Sequence, residues 1–441
     1  MPFSKFHLHV ASILGGGTFF DGFDSLSISV ALPVLIVLLH IGPVQAGMLV
    51  SAAFLGSVIG AFAVGYASEI IGRKRAFATA LVLFGISTAA FAFTREYHAM
   101  LALRLVQGLG LGAEVPVAGA MFNEFLRGKT RGRVAAFYQS LYSWGSLAPA
   151  LAGLFFYQAF GQSFGWRAIF LFGGIPALIG VYAFFRLPES PRWLSEQGRR
   201  SEADAVVTTM ERAYAPGTLA APDVRVHVNV RPTRFGELLS SAYARRSTLI
   251  WTQCFMFSIA ANTLGAWLPT LYARVGHITT SFALLLTLLG GLIQVVTAYV
   301  FALLVDRVGR KPLFLVGFGC IGAGAALGIV FVAGLHTTAW PALFAAGAVM
   351  LVGTSIHLNG IYLYIAELFP TRMRAWATST GQGVSRFAGI VGPMLLGILL
   401  AGALGIAGVY TMFLIVAVLG FATMFFLGIE TKQRTLEELA T

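Results

Sequence analysis

The chain has 441 residues, of which 57% are hydrophobic and only 11% are charged. Soluble domains average about 25% charged residues, so this composition excludes a soluble globular protein and indicates an integral membrane protein. The formal net charge of +12 alone would fit nucleic-acid binding, but the placement of the basic residues decides that question. Both cysteines, Cys254 and Cys320, lie in apolar segments, which predicts neither a disulfide framework nor a metal site.

Twelve apolar segments follow one another along the chain. Each approaches or exceeds the length that an α-helix needs to cross a hydrocarbon core of about 30 Å. The predicted spans cover residues 10–39, 46–68, 76–94, 98–123, 134–159, 167–185, 248–273, 281–305, 313–334, 340–366, 376–402 and 406–428.

The basic residues are distributed unevenly around these spans. With both termini on the cytoplasmic side, nearly all of the 30 Lys and Arg residues fall in inner segments. The outer loops then hold only Arg95, Arg167 and Arg274, while Arg104 and Arg386 lie inside spans. Because cytoplasmic loops carry an excess of Lys and Arg, we predict a multi-pass protein of the cell inner membrane with both termini in the cytoplasm. This distribution explains the basic charge without nucleic acid.

Two carboxylates, Asp21 and Asp24, lie inside the first span, three residues apart. That spacing puts both of them on the same face of a helix. A charged side chain at membrane depth costs about 2.5–3.5 kcal/mol on insertion scales, so we expect these acids to have a function. The alternative is that they mark the end of a shorter span.

Arg104, in span four, lies at the same predicted depth as Asp24. Asp24 is about 20 Å above the start of span one, and Arg104 is about 9 Å below the outer end of span four. In a core about 30 Å thick these depths agree, so we predict an ion pair between them. A nearby guanidinium favours a charged carboxylate and burial favours a neutral one, so a movement that alters either influence would load and unload a proton. The alternative is a static buried pair.

Three sequence features of the first six spans recur in the last six. The matching pairs are 65–75 with 302–311, 124–133 with 367–374, and 149–153 with 393–397. In the first pair an acid, a glycine and a basic pair recur at the same internal spacing, 237 residues apart. Three matches in register indicate an internal duplication. We therefore predict an all-α membrane protein with twelve transmembrane helices in two pseudo-symmetric six-helix bundles.

One long polar segment, between spans six and seven, sets the predicted domain boundaries. Residues 1–186 are predicted to form the N-terminal six-helix bundle and residues 187–247 a cytoplasmic linker. Residues 248–428 are predicted to form the C-terminal six-helix bundle, followed by a cytoplasmic tail at 429–441.

The duplicated loops place carboxylates and arginines together at the cytoplasmic ends of helices. Partly solvated ion pairs are individually weak, so they can break and form again during a transport cycle. We therefore predict a cytoplasmic gate built from Glu69, Arg73, Glu124, Arg131, Asp306, Arg310, Glu367 and Arg372. The alternative is that the arginines only anchor the loops, which leaves the carboxylates without a role.

The duplicated loop, Gly-x-x-x-acid-x-x-Gly-Arg-Lys, resembles the signature of the major facilitator superfamily, and the resemblance covers the whole chain. The stretches 188–194, 367–372 and 430–438 are similar to those of sugar porters. Asp21-Gly-Phe-Asp24 and the stretch 267–271 are more similar to those of aromatic acid and other metabolite:proton symporters.

Two features depart from the sugar-porter pattern. The stretch 253–258 lacks the Gln-Leu-Ser sequence typical of hexose carriers, and Arg386 stands in an otherwise apolar helix. The resemblance to the symporters implies the major facilitator fold. It also implies that an acid of the first helix and an arginine of the fourth form a proton-coupling pair, at positions that match Asp24 and Arg104.

Three further ionisable residues, Glu114, His357 and Arg386, are predicted near the midplane, about 15–18 Å from the inner surface. Arg386 suits a substrate carboxylate because its guanidinium can bind one bidentately, and the alternative is a pair with Glu114 or another acid. His357 matches Glu114 in the repeat, although a lone helical histidine is often a packing residue. Glu114 joins the proton-coupling candidates. The other predicted substrate-binding residues are Asn359, Gln253, Asn262, Tyr142, Trp144, Tyr362 and Gln382.

These features predict a proton-coupled secondary active transporter that imports a small organic acid anion, such as an aromatic carboxylate, by alternating access. One alternative is a proton-coupled sugar or polyol transporter, and another is a non-transporting sensor, which would need a larger signalling domain than 187–247. We find no enzyme motif, metal-ligand spacing or phosphate-binding loop, so we expect no catalysis, cofactor or metal. The expected partners are substrate, protons and lipid, and we expect a monomer.

Overall fold

The computed structural model describes residues 5–125, 131–212 and 235–432. In these ranges every regular element is helical, with fourteen α-helices, one 3₁₀ turn at Phe235–Leu239 and π-helical turns at Leu271–Val275 and Val330–Gly334. The helices are α1 (Lys5–Leu38), α2 (Pro43–Ile71), α3 (Arg73–Phe91), α4 (Tyr97–Phe125), α5 (Arg131–Phe172), α6 (Pro176–Arg186), α7 (Pro191–Glu196), α8 (Arg200–Glu211), α9 (Ala244–Thr270), α10 (Thr280–Val308), α11 (Arg310–Ile329), α12 (Trp340–Leu368), α13 (Thr371–Ala401) and α14 (Gly405–Leu427).

Eleven helical segments in the described ranges are long and apolar enough to cross a membrane. The segment Leu141–Arg186 has 46 residues, or about 69 Å of helix, which is more than twice a bilayer core of about 30 Å. It is interrupted at Gly161, where φ is 69° and ψ is 176°, a conformation that glycine adopts without strain. The segment thus contains most of the fifth and all of the sixth predicted span, and the predicted all-α membrane fold is confirmed.

The chain divides into two compact units. The first unit contains Met1–Ile28 and Ala52–His227, and the second contains Ser29–Ser51 and Val228–Thr441. The last part of α1 and the first part of α2 therefore belong to the second unit. The domain boundaries predicted from the sequence remain a prediction.

In the first unit α2 and α4 cross at small residues. A Cβ at Gly56 would meet the carbonyl group of Leu105, and a Cβ at Gly112 would meet the backbone of Ser57. Without these side chains the two helix backbones approach closely, as is common between helices in membranes. This crossing fixes the position of α4, the helix that carries Arg104.

The contact between α1 and α5 follows the same rule. A Cβ at Gly22 would meet the carbonyl group of Tyr142, and a Cβ at Gly145 would meet that of Phe19. The glycine at position 22 lies between the two carboxylates of the first span, so close packing sets the orientation of this part of α1.

In the second unit, residues 29–51 contact α13 and the π-helical turn that follows α9. Ser51 Oγ donates a hydrogen bond of 2.7 Å to the carbonyl group of Ile390. Arg274, in the π-helical turn after α9, donates one of 2.9 Å to the carbonyl group of Pro33. A Cβ at Gly47 would lie 2.6 Å from the carbonyl oxygen of α13's proline, at position 393. This segment is therefore tied to the unit by backbone groups and small side chains.

Two short helices follow α6 and form a small separate core. The hydroxyl group of Ser190 accepts a hydrogen bond of 3.2 Å from the backbone N–H of Trp193 and caps the start of α7. Trp193, Leu194 and Ala203 are buried together. The indole N–H of Trp193 also donates to the carbonyl group of Glu69 at 2.8 Å, which attaches α7 to the end of α2.

Candidate functional site

A buried polar cluster in the first unit joins three helices. Asp24 of α1 and Arg104 and Gln107 of α4 are each at most 2% exposed, and Thr88 of α3 is fully buried. Arg104 Nη1 lies 3.4 Å from Asp24 Oδ2 and 2.6 Å from Gln107 Oε1. Gln107 Nε2 donates to Asp24 Oδ1 at 2.5 Å and to Thr88 Oγ1 at 2.7 Å. The structure therefore brings Asp24 and Arg104 together, with an amide between them.

Gln107 changes what this ion pair can do. Its carbonyl oxygen accepts from Arg104 while its amide nitrogen donates to the carboxylate of Asp24. A buried charge that loses its only partner is strongly destabilising. Because Arg104 keeps a hydrogen bond to Gln107, Asp24 can take up a proton without leaving the guanidinium wholly unsatisfied. Such an arrangement suits a carboxylate that gains and loses a proton.

The sequence did not single out Gln107 or Thr88. Gln107 lies three residues after Arg104, a spacing that puts the two side chains on one helix face. That spacing could have indicated that Gln107 belongs to the same cluster as Arg104.

The other two carboxylates predicted to couple protons, Glu114 and Asp21, lie close to this cluster along their helices. Glu114 is 1% exposed and accepts a hydrogen bond of 3.2 Å from Thr18 Oγ1. It stands seven residues beyond Gln107, a rise of about 10 Å. Asp21 is half-buried, and its backbone carbonyl accepts from Ser25 Oγ at 2.9 Å. A role in proton coupling for either acid remains a prediction.

Arg386 lies in the middle of α13 in the second unit and is half-buried. The structure records no hydrogen bond or ion pair for its guanidinium among the residues that it describes. Gln382 precedes it by four residues and is also half-buried, so the two share one helix face. On the neighbouring helix α9, Asn262 is half-buried as well. These polar side chains are available to a ligand.

His357 and Gln253 occupy the packed interior of the second unit. His357 is fully buried, with Nδ1 at 3.0 Å from the carbonyl group of Gly353. Its ring lies 4.1 Å from the ring centroid of Phe318 and is also flanked by two further phenylalanines. Gln253 is fully buried, and its amide nitrogen donates to the carbonyl group of Gly420 at 3.0 Å. Their substrate roles stay predictions.

The remaining predicted substrate-binding residues are more exposed. Tyr142 is half-buried and donates to Ser25 Oγ at 3.2 Å. Asn359 is exposed and donates to the carbonyl group of Ser355 at 2.8 Å. The aromatic side chains of Trp144 and Tyr362 are 64% and 45% exposed.

The predicted gate residues form ion pairs within each unit. In the first unit Arg73 pairs with Glu69 at 2.8 Å. In the second, Arg310 pairs with Asp306 at 3.0 Å and binds both carboxylate oxygens of Glu367, at 2.8 and 3.0 Å. The gate candidates whose side chains lie outside the described part of the structure are Glu124, Arg131 and Arg372.

Two glutamates that were not predicted as gate residues accept hydrogen bonds from the backbone of the same loops. Glu430 accepts hydrogen bonds of 3.0 Å from the backbone N–H groups of Arg310 and Lys311 at the start of α11. Glu189 accepts one of 3.0 Å from the N–H of Lys74 near the start of α3. Each carboxylate therefore caps the N-terminus of a helix, where unpaired N–H groups and the helix dipole favour a negative charge.

The glycines before these helices complete the repeated geometry. Gly72 has a φ of 99° and Gly309 a φ of 108°, values that favour glycine because a Cβ would be strained there. The stretches with Glu189 and Glu430 were each recognised as similar to sugar porters. Pairing these stretches along the duplication would have drawn attention to both glutamates, but not to the N–H groups that they cap.

We expect Glu430→Ala to destabilise the purified protein by about 1–2 kcal/mol, because two backbone N–H groups of α11 lose their acceptor. Thermal unfolding in detergent measures this as a lower midpoint. Glu196→Ala is the matched control, since Glu196 is exposed on α7 and has no recorded partner in the described ranges. Equal midpoints for Glu430→Ala and the unmodified protein would contradict the capping role.

Comparison with known proteins places the fold and these loops in a family. The family model described as sugar (and other) transporter matches residues 17–441. The chain therefore belongs to the sugar (and other) transporter family of the major facilitator superfamily. This family member is a multi-pass membrane transporter and not an enzyme.

The relatives of this transporter are named for different substrates. It is 31% identical to the niacin transporter NiaP of Acinetobacter baylyi, over all of this chain and 98% of that protein. It is 26% identical to the 4-hydroxybenzoate transporter PcaK of the same organism, over 94% of this chain and 90% of that protein. The crystal structure of a D-xylose-proton symporter matches with a TM-score of 0.78 and 20% identity, over 98% of this chain and 100% of that one. This last likeness concerns the fold alone.

Proposed function

We propose that the transporter imports a small aromatic carboxylate, of the size and charge of nicotinate, together with a proton. The observation that carries the proposal is Arg386, a half-buried guanidinium inside a transmembrane helix with no counter-charge recorded in the described part of the chain. An arginine at such a depth is costly unless it has a partner, and a substrate carboxylate supplies one. The names of two relatives, a niacin and a 4-hydroxybenzoate transporter, support an aromatic acid.

The proton is proposed to travel through Asp24. A monocarboxylate anion carried with one proton has no net charge, so the membrane potential does no work on the pair. A single elementary charge, by contrast, gains about 2.3 kcal/mol per 100 mV. Import is then driven by the pH difference and by the substrate gradient. Arg104 and Gln107 hold Asp24 in both of its protonation states.

The proposed setting is the inner membrane of a bacterium, with both termini in the cytoplasm. The excess of Lys and Arg in the predicted inner loops supports this orientation. The chain is proposed to act as a monomer, with the duplicated ion-pair loops at positions 69–73 and 306–310 serving as the inner gate.

We expect nicotinate to raise the thermal unfolding midpoint of the purified protein in detergent. A ligand that binds only the folded state stabilises it by about 2.7 kcal/mol when its free concentration is roughly 100 times Kd. Nicotinamide is the matched control, because it keeps the ring and lacks the charge. We expect it to stabilise far less.

The same screen includes 4-hydroxybenzoate, glucose and xylose. The second candidate function is transport of a neutral sugar or polyol, which the description of the family model favours. Stabilisation by a sugar, with no effect of either carboxylate, would contradict the aromatic acid proposal and favour this candidate.

A further inference from the structure

An apolar groove lies between α3 and α6 on the surface of the first unit. It has a volume of about 230 Å³ and is lined by Ala78, Thr79, Val82, Val181, Phe184 and Phe185. The helices meet at Gly180, where a Cβ would lie 2.8 Å from the carbonyl oxygen of Ala78. The missing side chain lets the backbones touch while the larger side chains on either side form the walls.

The groove is open to the surroundings of the protein. Val181, Phe184 and Phe185 are 49%, 48% and 72% exposed, although they are strongly apolar. The groove residues lie within about 14 Å of the start of α3 and the end of α6, at 1.5 Å per residue. With the basic loops on the inner side, as proposed above, this depth is the acyl-chain region of the cytoplasmic leaflet.

Two arginines stand at the end of the groove nearest the proposed cytoplasmic side. Arg75 lies one turn before Ala78 and Thr79 on the same face of α3. Arg186 directly follows the groove residue Phe185 in α6. Both arginines are exposed. Neither makes an ion pair or a side-chain hydrogen bond that the structure records within the described ranges.

The duplicated half of the protein lacks both charges. The repeat aligns Gly72-Arg-Lys-Arg75 with Gly309-Arg-Lys-Pro312, so a proline replaces the arginine of α3. Aligning the two capping glutamates puts Leu427 of α14 opposite Arg186. The second half therefore forms its ion pair and its helix cap without these arginines. Their presence in the first half distinguishes this groove from the equivalent surface of the second half.

We propose that this groove binds an anionic phospholipid of the cytoplasmic leaflet, with an acyl chain between α3 and α6 and the headgroup phosphate on Arg75 and Arg186. The groove supplies a contact surface on which the methylene groups of the acyl chain gain from close packing. The arginines supply forked donors that match phosphate geometry. The proposal rests on the inward orientation of the basic loops and not on the identity of the transported substrate.

Such a lipid would act on the gate. The groove begins at Ala78, nearly two turns after Gly72, and Gly72 is the position where Glu189 caps α3 and Arg73 pairs with Glu69. A lipid that joins α3 to α6 therefore stabilises the segment from which this ion pair is presented.

The test measures lipid retained by the purified full chain in detergent, without substrate. Phosphatidylglycerol and phosphatidylcholine with identical acyl chains are compared by native mass spectrometry. We expect the unmodified protein to prefer phosphatidylglycerol. In the double variant Arg75→Gln/Arg186→Gln this preference should fall about tenfold, since each basic residue near anionic headgroups contributes to binding. Val181→Trp, which fills the groove, should reduce retention of both lipids.

The matched control is Arg200→Gln/Arg212→Gln, which removes two exposed arginines from either end of α8. We expect it to keep the preference. If the control loses as much as the groove variant, or if the groove variant loses nothing, headgroup binding at Arg75 and Arg186 is wrong. If Val181→Trp retains as much lipid as the unmodified protein, the acyl chain does not occupy the groove. None of these outcomes depends on which substrate is transported.

Discussion

Asp24→Asn is expected to abolish accumulation of the substrate against its gradient while leaving exchange of substrate across the membrane. An asparagine keeps the shape of the side chain and a hydrogen bond to Gln107, but it cannot carry a proton. A pH difference of one unit, with one proton per substrate, supports about tenfold accumulation, since one pH unit equals a factor of ten in proton activity. In proteoliposomes with this pH difference, the variant should only equilibrate its substrate.

The matched control is Asp21→Asn, which removes the other carboxylate of the same helix turn. We expect this variant to accumulate substrate, because the carboxylate to which Arg104 and Gln107 donate is that of Asp24. Accumulation by Asp24→Asn at the unmodified level would contradict its role. Asp21 or Glu114 would then be the coupling acid.

Arg386→Gln is expected to lose most of the affinity for the carboxylate substrate. Hydrogen bonds to charged groups contribute about 1.5–3 kcal/mol, and because every 1.4 kcal/mol is tenfold in Kd, the loss should be roughly 10- to 100-fold. Arg386→Lys keeps the charge and loses the planar fork. Its affinity for the carboxylate should therefore lie between that of the unmodified protein and that of Arg386→Gln. Calorimetry or ligand-dependent thermal unfolding measures these changes.

Two controls separate substrate binding from a structural role of Arg386. Arg374→Gln changes another arginine of α13, near the start of the helix, and should leave affinity unchanged. The unfolding midpoint without ligand shows whether Arg386→Gln is folded. A variant with normal nicotinate affinity would remove Arg386 from the substrate site and favour the sugar or polyol candidate.

The sequence predicted the helices, and the structure brings together Asp24 and Arg104 as their spacing along the helices indicated. Span length and apolar composition follow directly from the thickness of the bilayer, and a rise of about 1.5 Å per residue was enough to set Asp24 and Arg104 at one level. Those same rules do not say which way a side chain faces around the helix axis. Helix α12 is apolar on all sides, so its composition could not tell that His357 is packed against Phe318.

The sequence also could not identify the neutral hydrogen-bonding residues of the candidate site. Gln107 and Thr88 carry no charge, so no insertion cost drew attention to them, yet they complete the cluster around Asp24. Glu189 and Glu430 were charged but lie outside the spans, in loops where carboxylates are ordinary. Their role depends on backbone N–H groups that only the folded loop brings to them.

Uptake of labelled nicotinate into proteoliposomes, with the pH difference and the membrane potential imposed separately, tests proton-coupled transport of a carboxylate most directly. We predict that an acidic exterior drives transient accumulation above equilibrium, and that an inside-negative potential alone drives none, because the anion and the proton together are neutral. Accumulation driven by the potential alone, or uptake that reaches the same level with and without the pH difference, would contradict this account.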